Sequence, residues 1–193
     1  MPDQSAAAAK THCRWLWFSL RTMLVAVALT SSTQAGGQDP KSDIPDDLRV
    51  DGPLVGIVHA TGFQVYRCEA IAVGKLAWTL KAPDATFENA SGLKGKHYAG
   101  PTWEATDGSK VVGRKLKDHA SPTVDAVPWL LLEAKSHDGK GQLSAVTFVQ
   151  RIHTSGGKAP AVGNAKAGDE TRVAYTADYV FYGPGATIHP TKP

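Results

Sequence analysis

The pattern of apolar and polar residues along most of the chain has a period of two, which is typical of β-strands that cover a core with one face. The clearest example is the segment TRVAYTADYVFYG near the C-terminus. One face of this predicted strand is largely apolar and carries Val173, Tyr175, Ala177, Tyr179 and Phe181. The opposite face carries Thr176, Asp178 and Val180. The segment GFQVYRCEA, which contains Cys68, alternates in the same way.

Two segments of the second half predict a β-hairpin about a turn at Asp138-Gly139. The first, VPWLLLEAK (Val127 to Lys135), is almost uninterruptedly apolar, which predicts a strand covered on both faces. The second, LSAVTFVQRIHT (Leu143 to Thr154), alternates instead. Its two predicted faces carry Val146, Phe148 and Ile152 on one side and Thr147, Val149, Arg151 and His153 on the other.

These strands and their frequent turn signals predict an all-β fold. KLAWTLKA is a further strand, which Pro83-Asp84 is expected to end, and the loop-rich ATFENASGLKG follows it. No segment after residue 35 has three turns of amphipathic helical pattern. We therefore expect one domain over residues 53–193, an antiparallel β-sandwich or barrel-like sheet of about seven or more strands. Residues 36–52 are rich in Pro, Gly and Asp and predict an extended lead-in.

The first 35 residues have the parts of a secretory signal peptide. Basic residues precede the short apolar run MLVAVALT, and small residues follow it up to Ala35. An uncleaved membrane anchor is the alternative, but the run has eight residues, whereas a bilayer span needs about 20. We therefore predict cleavage near Ala35, a secreted or periplasmic protein and no transmembrane segment in the mature chain.

Composition narrows the range of partners and cofactors. Without residues 1–35, basic and acidic residues are nearly balanced and no basic cluster remains, so nucleic acid is not an expected partner. One cysteine, Cys68, is then left, and we expect it to be a free, buried apolar side chain. A reactive or intermolecular thiol is the alternative. His97, His119, His137 and His153 show no paired metal-ligand spacing, so neither a metal nor another cofactor is expected.

The stretch HYAGPTWEATDGSK (His97 to Lys110) holds a histidine, a tryptophan, a glutamate and an aspartate within fourteen residues. Thr106-Asp107-Gly108 can form a type I turn with Gly108 in the left-handed position, a three-residue hairpin loop. That loop places Glu104 opposite Lys110 outside the sheet and Trp103 opposite Val111 in the core. A two-residue Asp-Gly turn would instead place Lys110 beside Ala105 and Val112 beside Trp103.

Candidate ligand-binding residues come from the same stretch. His97 precedes the Gly100-Pro101 break and is expected at a strand end, where binding groups often lie. Together with Trp103, Glu104 and Asp107, it forms the candidate ligand site. A histidine beside a carboxylate can also act in general acid–base catalysis. No nucleophile motif or nucleotide-binding motif accompanies it, and Ser155 in TSGGK precedes glycines that are simpler to interpret as loop hinges.

Several segments occur together in a characteristic order. They are HATGFQVYRC, HYAGPTWEATDGSKVVG, VPWLLLEA, VTFVQRIHTSGGKAP and YTADYVFYG. The combination resembles the DUF3455 family, a group of secreted bacterial and fungal proteins of unknown activity, over about residues 45–183. Some fungal members bear a malate dehydrogenase label, but this chain has neither the Gly-rich turn nor the βαβ pattern of a nucleotide-binding fold. Family members often have a Cys after GGKAP where this chain has Gly163-Asn164, which implies a lost disulfide to Cys68.

Three functions stay open at this point. The leading hypothesis is a non-enzymatic binding or envelope-associated protein, whose ligand or envelope component the sequence does not name. Such a protein should expose aromatic side chains in a groove, with Trp103, Trp129 and Tyr182 as candidates. The second hypothesis is a small hydrolase-type enzyme that uses His97 with Glu104 or Asp107. The third is a structural or stress-related surface protein.

Overall fold

The computed structural model describes residues 43–189, which lie in one compact unit and form a closed antiparallel β-barrel. Eight strands make the barrel in chain order, and the pairing of the first with the last closes it. These strands are β2 (Leu54–Ala72), β3 (Lys75–Glu88), β4 (Lys94–Tyr98), β5 (Thr102–Ala105), β6 (Lys110–His119), β7 (Trp129–Asp138), β8 (Phe148–Gly156) and β9 (Glu170–Tyr182). Of the two predicted all-β architectures, the barrel is the one that forms.

The barrel interior is filled by the apolar faces that the alternation predicts. In β9, Tyr175, Ala177, Tyr179 and Phe181 are at most 2% exposed and pack in one interior cluster. Only Val173 of the predicted stripe remains partly exposed. Because successive side chains of a strand point to opposite faces, the same alternation sends Thr176 and Asp178 outward.

A second apolar cluster lies outside the barrel wall, against β7, β8 and β9. Leu132 of β7 faces the interior, whereas Trp129 and Leu131 belong to this outer cluster. The cover comes from a 3-10 helix (Asp46–Leu48) and two short paired strands, β1 (Val50–Asp51) and β10 (Thr187–Ile188). The prediction that VPWLLLEAK forms a strand covered on both faces is therefore confirmed.

The same outer cluster shapes the described part of the lead-in. Residues 43–52 are not simply extended, because Ile44, Leu48 and Val50 are at most 6% exposed and hold the chain against the barrel wall. Residues 1–42, which include the predicted signal peptide, lie outside the described part of the chain.

Two predicted strand boundaries are wrong. Strand β3 does not end at Pro83-Asp84 but continues to Glu88, because it stays paired with β2 up to that residue, whereas β4 pairs along its other edge only from Ala85 onward. At Pro83 that edge has no partner strand, so the missing N–H costs no ladder hydrogen bond. Strand β8 begins at Phe148 rather than at Leu143, since the preceding residues form turns that bury the side chains of Leu143 and Val146.

Candidate functional site

The hairpin of β5 and β6 has the register that the three-residue turn predicts. Glu104 pairs with Lys110, and Trp103 pairs with Val111. The turn is closed by the Gly108 N–H, which donates to the Ala105 carbonyl at 3.0 Å, and Gly108 has a φ of +86°. Trp103 is 1% exposed in the core, while the Glu104 carboxylate lies outside, 3.8 Å from the Lys110 ammonium.

His97 is a core residue. It pairs with Trp103 across β4 and β5 and is 3% exposed, and the two rings stack at 4.5 Å with an interplanar angle of 11°. Its Nδ1–H donates to the Thr102 carbonyl at 2.9 Å, since a carbonyl oxygen can only accept. Burial lowers the pKa of His97 to about 3 and outweighs that hydrogen bond, which acts in the opposite direction. The imidazole is therefore neutral at ordinary pH and is not open to a ligand.

Asp107 stabilises a turn. Its carboxylate accepts hydrogen bonds from the Ser109 backbone N–H at 2.9 Å, the Ser109 hydroxyl at 2.6 Å and the Gln142 backbone N–H at 2.8 Å. The Ser109 hydroxyl is the largest of several hydrogen-bonding causes that lower the pKa of Asp107 to about 2. These bonds fasten the β5–β6 turn to the loop after β7.

The four candidate residues of the opening stretch thus do not form one site. His97 and Trp103 face the interior, whereas Glu104 faces outward, where its carboxylate accepts a hydrogen bond from the Tyr98 hydroxyl at 2.7 Å. The expected aromatic platform is also absent at the three candidate positions. Trp103, Trp129 and Tyr182 are 1%, 3% and 2% exposed.

The polar groups of the barrel interior bond largely to the main chain. Arg151 is 8% exposed and donates to the Pro128 carbonyl from Nε at 3.0 Å and from Nη2 at 2.8 Å. It also hydrogen-bonds to Tyr179. The pKa of Tyr179 is raised, because the effect of burial outweighs the opposite effect of the Arg151 charge. Cys68 is buried on β2 and is a free cysteine. These groups support the wall and core of the barrel.

A polar cluster on the outer face of the barrel is formed by side chains of three strands, β2, β8 and β9. Asp178 of β9 accepts a hydrogen bond from Nδ1 of His59 through one carboxylate oxygen, at 2.8 Å, and from Nδ1 of His153 through the other, at 2.9 Å. Because the carboxylate accepts both bonds, Nε2 is the ring atom that each histidine has left for a ligand. The side chains of His59 and His153 are 59% and 40% exposed.

A β-bulge turns His153 outward. The register between β8 and β9 shifts between Ile152 and Ser155, and His153 has a φ of +48°, which is rare for a residue other than glycine. Arg151 faces the interior, so plain alternation would send His153 inward as well. The bulge instead brings the imidazole to Asp178 and to the Trp129 ring, with a centroid distance of 5.5 Å and an interplanar angle of 87°.

Each histidine lines its own groove. His153 lies in a groove of about 590 Å³ with Pro122, Thr123, Trp129 and Ser155. His59 lies in a groove of about 490 Å³ whose other polar side chains include Glu88, Lys94 and Lys96. Glu88 is opposite His59 on one side and opposite Lys94 on the other, so these three residues form a row across β2, β3 and β4.

Among the residues that line the groove beside His59, two lysines stand against one acidic side chain. Within residues 43–189, neither Lys94 nor Lys96 has a carboxylate within ion-pair distance. Glu88 is the single acidic side chain among the residues that line this groove. Two ammonium groups and one imidazole can therefore donate to an anionic ligand, with the Thr61 and Thr86 hydroxyls beside them.

The described residues contain no group of three or more His, Cys, Asp or Glu side chains placed to hold a metal ion. They also contain no helix of the length and apolarity needed to cross a bilayer.

Over the described residues, fold and surface together define a class, an antiparallel β-barrel with a closed core and a polar cluster on its outer wall. The family model described as "Protein of unknown function (DUF3455)" matches residues 51–183. The chain therefore belongs to the DUF3455 family, as the resemblance predicted. No curated protein and no solved structure matches it.

Proposed function

We propose that the protein is an exported binding protein that holds an anionic ligand on the outer wall of its barrel, in the groove beside His59. The main support for this proposal is the set of hydrogen-bond donors that line the groove. His59, Lys94 and Lys96 face one space of about 490 Å³ that contains a single carboxylate, that of Glu88. Charge-assisted hydrogen bonds to carboxylate or phosphate oxygens are the strong interactions that such a set offers.

The surroundings of His59 support binding rather than a purely structural role. Asp178 fixes one ring nitrogen of His59, which limits the rotation of the imidazole and directs Nε2 away from the carboxylate. The interior residues, by contrast, are closed to solvent, so a ligand has to approach from outside. The predicted signal peptide supports a location outside the cytoplasm, where envelope components with carboxylate or phosphate groups would be available.

A thermal-shift titration tests this proposal with defined probes. Inorganic phosphate, citrate and an oligogalacturonate supply the anions, and cellobiose supplies a neutral control. A probe present at about 100 times its Kd should stabilise the fold by about 2.7 kcal/mol, which corresponds to a rise in Tm of roughly 5–10 °C for a domain of this size.

A matched pair of variants locates the site. Lys94→Gln combined with Lys96→Gln should weaken anion binding by at least about tenfold, because two charge-assisted contacts are lost. Lys135→Gln combined with Lys140→Gln removes the same charge from exposed positions outside the groove and should leave binding unchanged. If no anion shifts the melting temperature, or if both double variants respond equally, the proposal is wrong.

A further inference from the structure

Strands β2 and β3 continue beyond the barrel wall as a two-stranded arm, residues 69–77. The pairing of β2 with β9 ends at Arg67 and Glu170, and the pairing of β3 with β4 begins only at Ala85. In the arm the two strands pair only with each other, up to the turn at Val73-Gly74. Gly74 has a φ of +69°, and nothing lies within 4 Å of a Cβ placed there, so the turn is open to solvent.

The base of the arm is braced against the loop that precedes β9. The Gly168 N–H donates to the Cys68 carbonyl at 2.8 Å, and the Cys68 N–H donates to the Asp169 carbonyl at 2.8 Å. The Trp78 indole N–H donates to the Ala161 carbonyl at 3.4 Å. The arm is therefore held in place at its base while its tip makes no such contact.

The tip exposes apolar side chains that do not contribute to the barrel core. Ile71 is 63% exposed and Val73 is 103% exposed. Ala72 between them and Ala70 before them are also exposed. Single exposed apolar residues are ordinary, but a run of them at the end of a projecting hairpin marks an interaction surface. Neither Ile71 nor Val73 belongs to either apolar cluster of the barrel.

The charge pattern of the tip indicates the kind of surface that it meets. Between Glu69 and Lys81 the sequence has one charged residue, Lys75, directly after the turn. Lys75 is exposed and has no carboxylate within ion-pair distance among residues 43–189. An apolar tip next to a cation suits the headgroup region of an anionic bilayer, where apolar side chains enter the acyl boundary and lysine stays at the phosphates.

We propose that the arm inserts its tip, Ile71 and Val73, into an anionic lipid surface and so attaches the barrel to a membrane from outside. The narrow, convex shape of a hairpin end favours a soft lipid surface over a protein partner, since stable protein interfaces bury about 800 Å² on each side. The arm and the groove beside His59 share no residues, so the membrane proposal and the anion-binding proposal can be tested independently.

Vesicle co-sedimentation tests the attachment. The full chain is mixed with vesicles of phosphatidylcholine alone or of phosphatidylcholine with phosphatidylglycerol, so any contribution of residues 1–42 is common to all variants. Ile71→Ser combined with Val73→Ser should reduce binding to the anionic vesicles by at least about tenfold, because two exposed aliphatic side chains lose their burial. Val124→Ser is the control, since Val124 is 84% exposed in the loop between β6 and β7, outside the arm, and its replacement should leave binding unchanged.

Three readouts decide the outcome. A Val73→Trp variant should show a blue shift of tryptophan emission on addition of anionic vesicles, and Lys75→Gln should weaken binding to the anionic vesicles. Equal melting temperatures of the tip variants and the unchanged protein exclude misfolding as the cause. Failure of the unchanged protein to sediment, or equal sedimentation of the tip variant and Val124→Ser, overturns the proposal and leaves a protein partner as the occupant to seek.

Discussion

Replacement of His97 by Phe tests whether the buried imidazole makes the fold sensitive to acid. His97 lies between the Trp103 ring, at 4.5 Å, and the Tyr179 ring, at 5.0 Å, and donates one hydrogen bond to the Thr102 carbonyl. Phenylalanine keeps the aromatic packing but removes both the donor and the titratable group. The variant therefore separates the structural role of His97 from its proton equilibrium.

The sign of the pH effect follows from the lowered pKa. The folded protein binds a proton at His97 only near pH 3, whereas the unfolded chain binds it near 6.5. Stability is therefore complete above the unfolded value and decreases as the pH falls from 6.5 towards 3, because only the unfolded state gains the proton. Between pH 7 and pH 5 this loss amounts to about 2 kcal/mol.

Urea unfolding at several pH values between 7 and 5 measures the effect. At pH 7, His97→Phe should be less stable than the unchanged protein by about 1–3 kcal/mol, since the Thr102 carbonyl is left without its donor. At pH 5 this difference should shrink by about 2 kcal/mol, because the variant has no proton to take up at this position. Val124→Ser, at an exposed position without an ionisable side chain, is the control, and its stability curve should run parallel to that of the unchanged protein.

The reasoning is refuted if the stability curves of His97→Phe and the unchanged protein run parallel over this pH range. Parallel curves would mean that the folded protein takes up a proton at His97 as readily as the unfolded chain does. The core contact with Trp103 would then be open to water, and the placement of His97 inside the barrel would be wrong.

Two further predictions concern the hairpin and its neighbour. Glu104→Gln should cost less than about 1 kcal/mol in urea unfolding because the ion pair with Lys110 is partly exposed and spans 3.8 Å, whereas Trp103→Ala should cost about 3–5 kcal/mol; similar losses would contradict the assigned faces. Gly95→Ala should lower stability by about 1–3 kcal/mol or more, since its Cβ would overlap the Glu104 carbonyl oxygen and lie 2.7 Å from the Phe87 ring. Gly183→Ala, with its nearest neighbour at 3.4 Å, should change stability far less, and an equal loss at both glycines would argue against the close approach of β4 and β5.

Local pattern was sufficient to predict the elements whose partners lie nearby in sequence. The hairpin register follows from one turn and from the pairing that it allows between Trp103 and Val111, only eight positions apart. The interior stripe of β9 and the doubly covered strand β7 follow from apolar spacing alone. In each case the information lies within a window of about ten residues, which is the range over which strand periodicity and turn chemistry act.

The candidate site could not be predicted in the same way. His59 and Asp178 are 119 residues apart and meet only because β2 pairs with β9 to close the barrel. The alternation predicts His153 on the face of Val149 and Arg151, but the bulge adds one residue and reverses the direction of its side chain, which periodicity does not reveal. The sequence does predict that Asp178 faces outward, but it does not predict which side chains Asp178 contacts.

The same contrast between core and surface explains why His97 is not a ligand-binding residue and why the outer wall is the better place for a ligand. Most polar groups in a protein core are hydrogen-bonded by the fold, and His97 and Arg151 accordingly donate to the carbonyls of Thr102 and Pro128. Lys94 and Lys96 do not stabilise the fold in this way, since neither is buried nor ion-paired within the described chain. Replacing them should leave stability within about 0.5 kcal/mol of its original value, as for other surface substitutions. Any loss of ligand binding in those variants can therefore be assigned to the groove itself rather than to damage of the barrel.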